Sequence, residues 1–203
     1  MAAVIDYYFA PQSPWTYLGH ERLVRIAEAA GAAVRVLPID LGGKVFPVSG
    51  GLPLAQRPAQ RQAYRLVELQ RFKEAVGLPL NIRPKHFPVL GDDAARLIIA
   101  VDLADGSAAA LAVAGRVLAA VWAEDRDIAS AVTLAELVAE AGLPAARLAA
   151  AQAEAVQATY ERYTQQAIAA NVFGAPSYVI DGEIFWGQDR LDHVERRLAA
   201  GGM

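Results

Sequence analysis

The sequence predicts an α/β fold in which a large, all-helical insertion interrupts a domain built on a small mixed β-sheet. Strand-like residues occur only near the two ends of the 203-residue chain, whereas about a hundred residues between them show helical signals. The length suits one domain with an insertion but not two enzymatic domains. We therefore expect residues 1–50 and 172–203 to form the sheet domain and residues 51–171 to form the insertion.

A β-α-β unit opens the chain. Val4–Phe9 is rich in Val, Ile, Tyr and Phe, which is typical of a strand. Ser13 is a suitable N-cap and Pro14 a suitable first residue for a helix that continues to Gly31. Residues 33–39 have a second strand pattern, and the length of the connection predicts that the two strands are parallel.

Helical patterns fill the middle of the chain after a glycine-containing loop at residues 42–51. The caps and stops predict helices at 57–76, 93–105 and 107–124, a helix opened by the capping-box pattern Thr133-Leu-Ala-Glu136, and a long helix from Pro144 to about residue 171. Nothing in this stretch suggests a further strand.

A β-hairpin and a helix close the chain. Residues 177–180 and 183–186 have strand character, and Asp181-Gly182 between them is a strong signal for a two-residue turn. A final helix is expected from about Asp189 to residue 200. The predicted element order is therefore β-α-β, helical block, β-hairpin and helix.

The composition excludes several kinds of chemistry. The chain has no cysteine, so disulfides, thiolate metal sites and a thiol nucleophile of its own are excluded. His20, His86 and His193 lie far apart in sequence, and we expect no metal. The net charge of −3 argues against nucleic acid or a membrane as a partner, and the N-terminal residues lack an export signal, so we expect a cytoplasmic protein.

Ser13 is the first candidate functional residue. It places a hydroxyl where the first strand ends and the first helix begins, a junction that favours negative charge. Taken by itself, a Ser-Pro pair before a helix is more simply explained by a role as helix cap alone. Pro176 is the second candidate, because a proline that leads into the hairpin completes, with the β-α-β unit, the insertion and the last helix, a thioredoxin-like arrangement.

The third candidate segment is the turn Gly187, Gln188, Asp189 and Arg190, which follows the last strand. Gln188 and Asp189 have the groups needed to hold an ammonium and carboxylate pair. A helix cap at Asp189 and a solvated charge at Arg190 are an equally sufficient explanation.

Basic and aromatic residues offer weaker indications. A basic helix face is typical of a solvated surface, although an anionic ligand or a second subunit would also use it; its members are Arg57, Arg61, Arg65, Arg71 and Lys73. Six aromatic residues are candidates for the wall of an apolar pocket or, more simply, for the core: Tyr7, Phe9, Trp15, Tyr17, Phe46 and Phe87.

Three motifs occur in order along the chain: Ser13-Pro-Trp-Thr-Tyr-Leu18, Val172-Phe-Gly-Ala-Pro-Ser177 and Phe185-Trp-Gly-Gln-Asp-Arg-Leu191. Together they resemble the 2-hydroxychromene-2-carboxylate isomerase family, which is related to the kappa-class glutathione transferases. The resemblance covers essentially the whole chain. It implies a thioredoxin fold with a helical insertion, glutathione as cofactor and a homodimer.

The resemblance also implies roles for individual residues. Ser13 resembles the serine that hydrogen-bonds the glutathione sulfur. Ala175 and Pro176 resemble the cis-proline segment that pairs with the cysteinyl portion of the tripeptide. Gly187, Gln188, Asp189 and Arg190 resemble the turn that receives the γ-glutamyl end.

Two cationic residues and two departures from the family's sequence concern the binding of the substrate. Lys44 and Arg61 lie in segments that in the family help to bind the acidic substrate or glutathione. Gly50-Gly51 and Val89-Leu90 stand where relatives often carry Gly-Asn and Val-Asn, so two amides that the family offers are missing here.

The implied activity is a glutathione-dependent cis-trans isomerisation of a small aromatic carboxylate by transient addition of a thiolate. A kappa-class-like glutathione transferase, in which the electrophile stays attached to sulfur, is the alternative enzyme. A non-catalytic thioredoxin-like binding or scaffold protein is the alternative from another class, and the two missing amides favour it.

Overall fold

A four-stranded mixed sheet forms the centre of the sheet domain in the computed structural model, which describes residues 3–201. The strand order is β2-β1-β3-β4, with β1 parallel to β2 and antiparallel to β3, and β3 antiparallel to β4. The strands are β1 (Val4–Phe9), β2 (Ala33–Pro38), β3 (Ser177–Ile180) and β4 (Glu183–Trp186). The predicted thioredoxin-like sheet is therefore confirmed.

Helices cover both faces of this sheet. They are α1 (Pro14–Ala30), α2 (Phe46–Ser49), α3 (Ala59–Val76), α4 (Asp92–Asp105), α5 (Ser107–Trp122), α6 (Ala131–Glu140), α7 (Ala146–Ala150), α8 (Glu154–Ala169) and α9 (Leu191–Ala200). Short π-helical and 3₁₀ turns occupy Leu41–Val45, Leu54–Gln56 and Gln188–Arg190. Among the described residues, no helix has both the length and the hydropathy needed to cross a membrane.

The alternation of side chains along β1 explains the two layers. Ile5, Tyr7 and Phe9 are buried on one face, in the large core that also contains residues of α1, α4 and α5. Tyr8 points to the other face, where it packs in a smaller core with Ala167 of the α8 helix. β1, one of the two central strands, thus packs against helices of the insertion on both of its faces.

Two predicted segments differ from the structure at the start of the insertion. The expected loop at 42–51 is largely helical, because the Asp40 carboxylate accepts a hydrogen bond from the Gly43 N–H at 2.7 Å and caps the π-helical turn. The helix predicted from Arg57 begins only at Ala59, since Arg57 and Pro58 have extended backbone.

Two helix predictions in the second half of the chain were wrong. The Thr133 capping box lies inside α6, where Thr133 is buried and Ser130 has the extended backbone of an N-cap. The long helix expected from Pro144 is divided into α7 and α8 by a turn at residues 151–153, and Ala153 has extended backbone. The last helix agrees with the expectation, since a 3₁₀ turn at Gln188–Arg190 leads directly into α9.

His20 of α1 connects the sheet to the insertion through buried hydrogen bonds. Its Nε2 lies 3.0 Å from the Leu111 carbonyl oxygen and its Nδ1 lies 3.2 Å from the Tyr7 hydroxyl. Because a carbonyl only accepts, Nε2 carries the proton and Nδ1 accepts from the Tyr7 hydroxyl. Burial lowers the pKa of His20 to about 4, against the opposing effect of the bond to Leu111, so the ring is neutral.

We expect this ring to make the fold less stable in mild acid. Below about pH 6.5 the unfolded chain protonates His20 and the folded chain does not, so stability falls as the pH drops toward 4. Between neutral pH and about pH 4.5 the loss from this residue is about 2 to 3 kcal/mol. Urea unfolding at these two pH values should show that the free energy of unfolding falls less in His20→Gln than in the unchanged protein. Equal losses in both proteins would contradict this account.

Candidate functional site

A cavity of about 940 Å³ opens where β1 ends and α1 begins. One wall is formed by α3 and the loops that precede it, and the opposite wall by the loop before β3 and the turn after β4. Helices of the insertion and loops of the sheet domain therefore both contribute to it. This is the edge of the sheet at which open α/β folds bind ligands.

Ser13 lines the cavity and is the N-cap of α1. Its backbone is extended, with φ −81° and ψ 126°, and its hydroxyl oxygen accepts a hydrogen bond from the Thr16 N–H at 3.2 Å. Pro14 occupies the first helical position, as predicted. The hydroxyl proton is not used by this cap, so Ser13 retains one donor at the positive end of a helix dipole.

The loop before β3 is tied to the turn after β4. Ala175 lines the cavity, and the peptide bond between Ala175 and Pro176 is cis. The Pro176 carbonyl accepts a hydrogen bond from the Gly187 N–H at 2.9 Å, and the Ser177 hydroxyl donates to the Gly174 carbonyl at 2.8 Å. The two segments expected to hold glutathione thus form one hydrogen-bonded unit.

The turn from Gly187 to Arg190 lines the same cavity in full. Gln188 is buried, and its Nε2 has no hydrogen-bond partner within residues 3–201. Asp189 and Arg190 form an exposed ion pair at 2.8 Å. Gln188 therefore contributes an amide to the lining of the cavity, and Asp189 and Arg190 contribute an ion pair.

The two expected substrate cations lie in different places. Arg61 on α3 lines the cavity that contains Ser13. Lys44 lies instead at a separate pocket of about 220 Å³, beside Asp40, Asp92 and Arg96. Within residues 3–201 no group of three or more His, Cys, Asp or Glu side chains is arranged to hold a metal ion.

Arg57 and Arg65 also line the cavity, which is the second of the two roles that the sequence left open for the basic face. Arg61 and Arg65 lie one turn apart on α3, and Arg57 precedes that helix in extended backbone. Two of these arginines lie against aromatic rings, Arg57 over Phe46 at 5.9 Å and Arg65 over Phe87 at 5.0 Å. The wall is therefore both basic and apolar.

The aromatic candidates divide between wall and core. Trp15, Phe46 and Phe87 line the cavity, as a pocket role requires. Tyr7, Phe9 and Tyr17 are buried in the core, where the Tyr17 hydroxyl donates to the Pro79 carbonyl at 2.7 Å. Both roles are compatible with the sequence, and in the structure three residues take each.

The positions of the two missing amides have different surroundings. Phe46 packs across Gly51, where an added Cβ would lie 2.1 Å from a ring carbon. Leu90 is 74% exposed, while its neighbour Val89 lines the cavity. The ring of Phe46 thus fills the space of one amide, and the other position faces solvent.

Comparison with known proteins agrees with the fold and the motifs. The chain matches the DSBA-like thioredoxin domain family over residues 4–199 and belongs to that family. Similar solved structures include the cytosolic disulfide reductase DsbM from Pseudomonas aeruginosa with GSH, which covers 97% of this chain and is covered over 99% of its own length, with a TM-score of 0.69 and 20% identity. That likeness concerns the fold.

Curated relatives carry a narrower description. A 2-hydroxychromene-2-carboxylate isomerase of Pseudomonas putida is 32% identical over 96% of this chain and 94% of its own, and one of Sphingobium xenophagum is 28% identical over 98% and 99%. The solved 2-hydroxychromene-2-carboxylate isomerase has a TM-score of 0.79 and 26% identity, covering 97% of this chain and 95% of that chain. The resemblance carried by the three motifs is confirmed, and the relatives' names support isomerase activity.

We expect the family's amide to be incompatible with this chain's Phe46. Gly51→Asn would place a Cβ against the ring and lower the free energy of unfolding by about 1 to 3 kcal/mol in urea. Gly42→Asn is the control, since nothing lies within 4 Å of an added Cβ there, and should change stability by about 0.5 kcal/mol or less. An equal cost of Gly51→Asn in a Phe46→Ala background would contradict this explanation.

Proposed function

We propose that the protein is a glutathione-dependent isomerase, which interconverts 2-hydroxychromene-2-carboxylate-like substrates and o-hydroxybenzylidenepyruvate-like products. The observation that carries the proposal is the Ser13 hydroxyl, which lies at the N-terminus of α1 in the lining of a cavity of about 940 Å³, in a chain without cysteine. The site has the means to stabilise a sulfur anion, and the sulfur itself must come from a cofactor.

The residues of the cavity fit a tripeptide thiol. Gln188 and Gln12 line the cavity, and their side-chain amides each offer a donor and an acceptor. Ala175 offers the backbone of an irregular segment beside them. Arg61 supplies positive charge for a carboxylate, whereas the charge of Arg190 is balanced by Asp189. A peptide with carboxylate ends and internal amides would satisfy groups of each kind.

When bound, glutathione supplies the thiolate whose reversible addition to a conjugated carbon makes the double bond of the substrate rotatable. A free thiol has a pKa near 8.5, so the site must favour the anion at neutral pH. The Ser13 hydroxyl contributes a charge-assisted hydrogen bond of roughly 1.5 to 3 kcal/mol, and the end of α1 adds about 0.3 to 1 kcal/mol. Together they suffice to lower a thiol pKa by about one to three units.

The same walls suit an aromatic carboxylate. Trp15, Phe46 and Phe87 offer ring faces, and the arginines of α3 bring positive charge to the same space. Glu68 also lines the cavity, but it is neutralised by Arg71 at 2.6 Å. The charge that remains for a ligand is therefore positive.

The Ser13→Ala variant should separate the two roles of Ser13, which are capping of α1 and stabilisation of the bound thiolate. The loss of the bond to the Thr16 N–H is expected to cost about 0.5 to 2 kcal/mol of stability, and the pKa of bound glutathione should rise by about one to two units. Ultraviolet absorbance of the thiolate, titrated against pH with saturating glutathione, measures the second effect.

Ser13→Thr serves as the matched control, because it retains both the hydroxyl and the capping ability. Its thiolate titration should stay near that of the unchanged protein. Identical titration curves for the alanine variant and the unchanged protein would remove Ser13 from the proposed role.

Product analysis tests the reaction class. With glutathione in catalytic amount, we expect the two isomers to reach their equilibrium ratio. The thiol should be recovered in full, because its addition is followed by its expulsion. A conjugate that accumulates as glutathione disappears would instead establish a transferase. Calorimetry that detects no heat of glutathione binding would favour the non-catalytic alternative.

A further inference from the structure

Arg65 holds a cation in an apolar setting in the lining of the main cavity. Its guanidinium carbon lies 5.0 Å from the centre of the Phe87 ring and 5.6 Å from that of Trp122. Its Nη2 is buried and has no hydrogen-bond partner in the described part of the chain. Glu68, one helical turn further along α3, pairs with Arg71 instead.

Such a cation is costly to the free protein. Burial lowers the pKa of Arg65 to about 10, and repulsion by Arg57 acts in the same direction. The group is still charged at neutral pH. An anion that reaches this guanidinium from the cavity would gain a charge-assisted hydrogen bond with a group that the two rings already hold in place.

The position of Arg65 relative to Ser13 is set by Trp122. The Trp122 indole N–H donates to the Gln12 carbonyl at 3.3 Å, so the ring under the guanidinium is attached to the residue that precedes Ser13. Arg65 and Ser13 both line the same cavity. The carboxylate of a ligand and the sulfur that Ser13 would stabilise therefore occupy one shared space.

The other residues expected to bind an acidic substrate do not fill this role. Lys44 lies at a separate pocket, Gly51 has no side chain, and Leu90 is exposed to solvent. Arg61 lines the cavity but is exposed, so water screens its charge. Arg65 is the least hydrated arginine of α3.

We infer that Arg65 is the specificity-determining residue for the electrophile: it binds the carboxylate of an aromatic 2-oxo acid while the ring of that acid packs among the cavity's aromatic side chains. This inference rests on the proposed function for the class of substrate. It predicts that the site selects an anionic electrophile over a neutral one of the same shape.

A matched pair of probes tests the inference by binding, without glutathione. Benzylidenepyruvate carries a carboxylate, and benzylideneacetone replaces it by a methyl group. Because the chain has no cysteine, neither probe can form a thiol adduct in thiol-free buffer. Calorimetry should show that the carboxylate probe binds roughly 10- to 100-fold more tightly to the unchanged protein, with the preference shrinking as salt is added.

Arg65→Met keeps the length of the side chain and removes its charge, and should reduce this preference to about threefold or less. Lys73→Met is the control, since it removes a charge from the same helix outside the cavity, and should retain the preference. Arg65→Gln provides a second neutral variant should the methionine variant fail to fold.

Two results would overturn the inference: equal affinity of the unchanged protein for the two probes, including no measurable binding of either, or an undiminished preference in a folded neutral variant. The outcome is separable from that of the proposed function. If glutathione does not bind but Arg65 still controls the preference, the thiol proposal fails and the role of Arg65 stands. If glutathione-dependent isomerisation occurs but the preference for the carboxylate probe does not depend on Arg65, only this inference fails.

Discussion

The hydrogen bond from the Thr16 N–H to the Ser13 hydroxyl, at 3.2 Å, is the interaction on which the site depends. It begins α1 directly after β1 and so places the positive end of a helix dipole at the edge of the sheet. The same oxygen carries a proton that the cap does not use. A single side chain thus serves the fold as an acceptor and the proposed chemistry as a donor.

The sheet and the ends of the chain could be predicted from sequence because their signals are local. Ser13 with Pro14, the alternation in Val4–Phe9 and the Asp181-Gly182 turn each act within a few residues. The break at Ala153 could not be predicted, because alanine favours helix everywhere and the direction of α8 is set by its packing on α4 and β2.

The site was only partly predictable for a related reason. Ser13 and the turn after β4 lie in motifs, whereas the wall opposite them comes from α3, which is distant in sequence. The spacing of Arg57, Arg61 and Arg65 shows a basic face but not what that face meets. Lys44 lies in a segment that helps to bind the acidic substrate or glutathione in the resembling family. The turn that Asp40 caps nevertheless puts Lys44 at a separate pocket.

The bond between the Gly187 N–H and the Pro176 carbonyl has a consequence for how this scaffold changes over evolution. It holds the loop and the turn together on one side of the cavity, so that a substitution in either segment disturbs both. Within residues 3–201, no hydrogen bond joins α3 to that loop and turn. Side chains of α3 that line the cavity can therefore be exchanged without disturbing the loop and the turn.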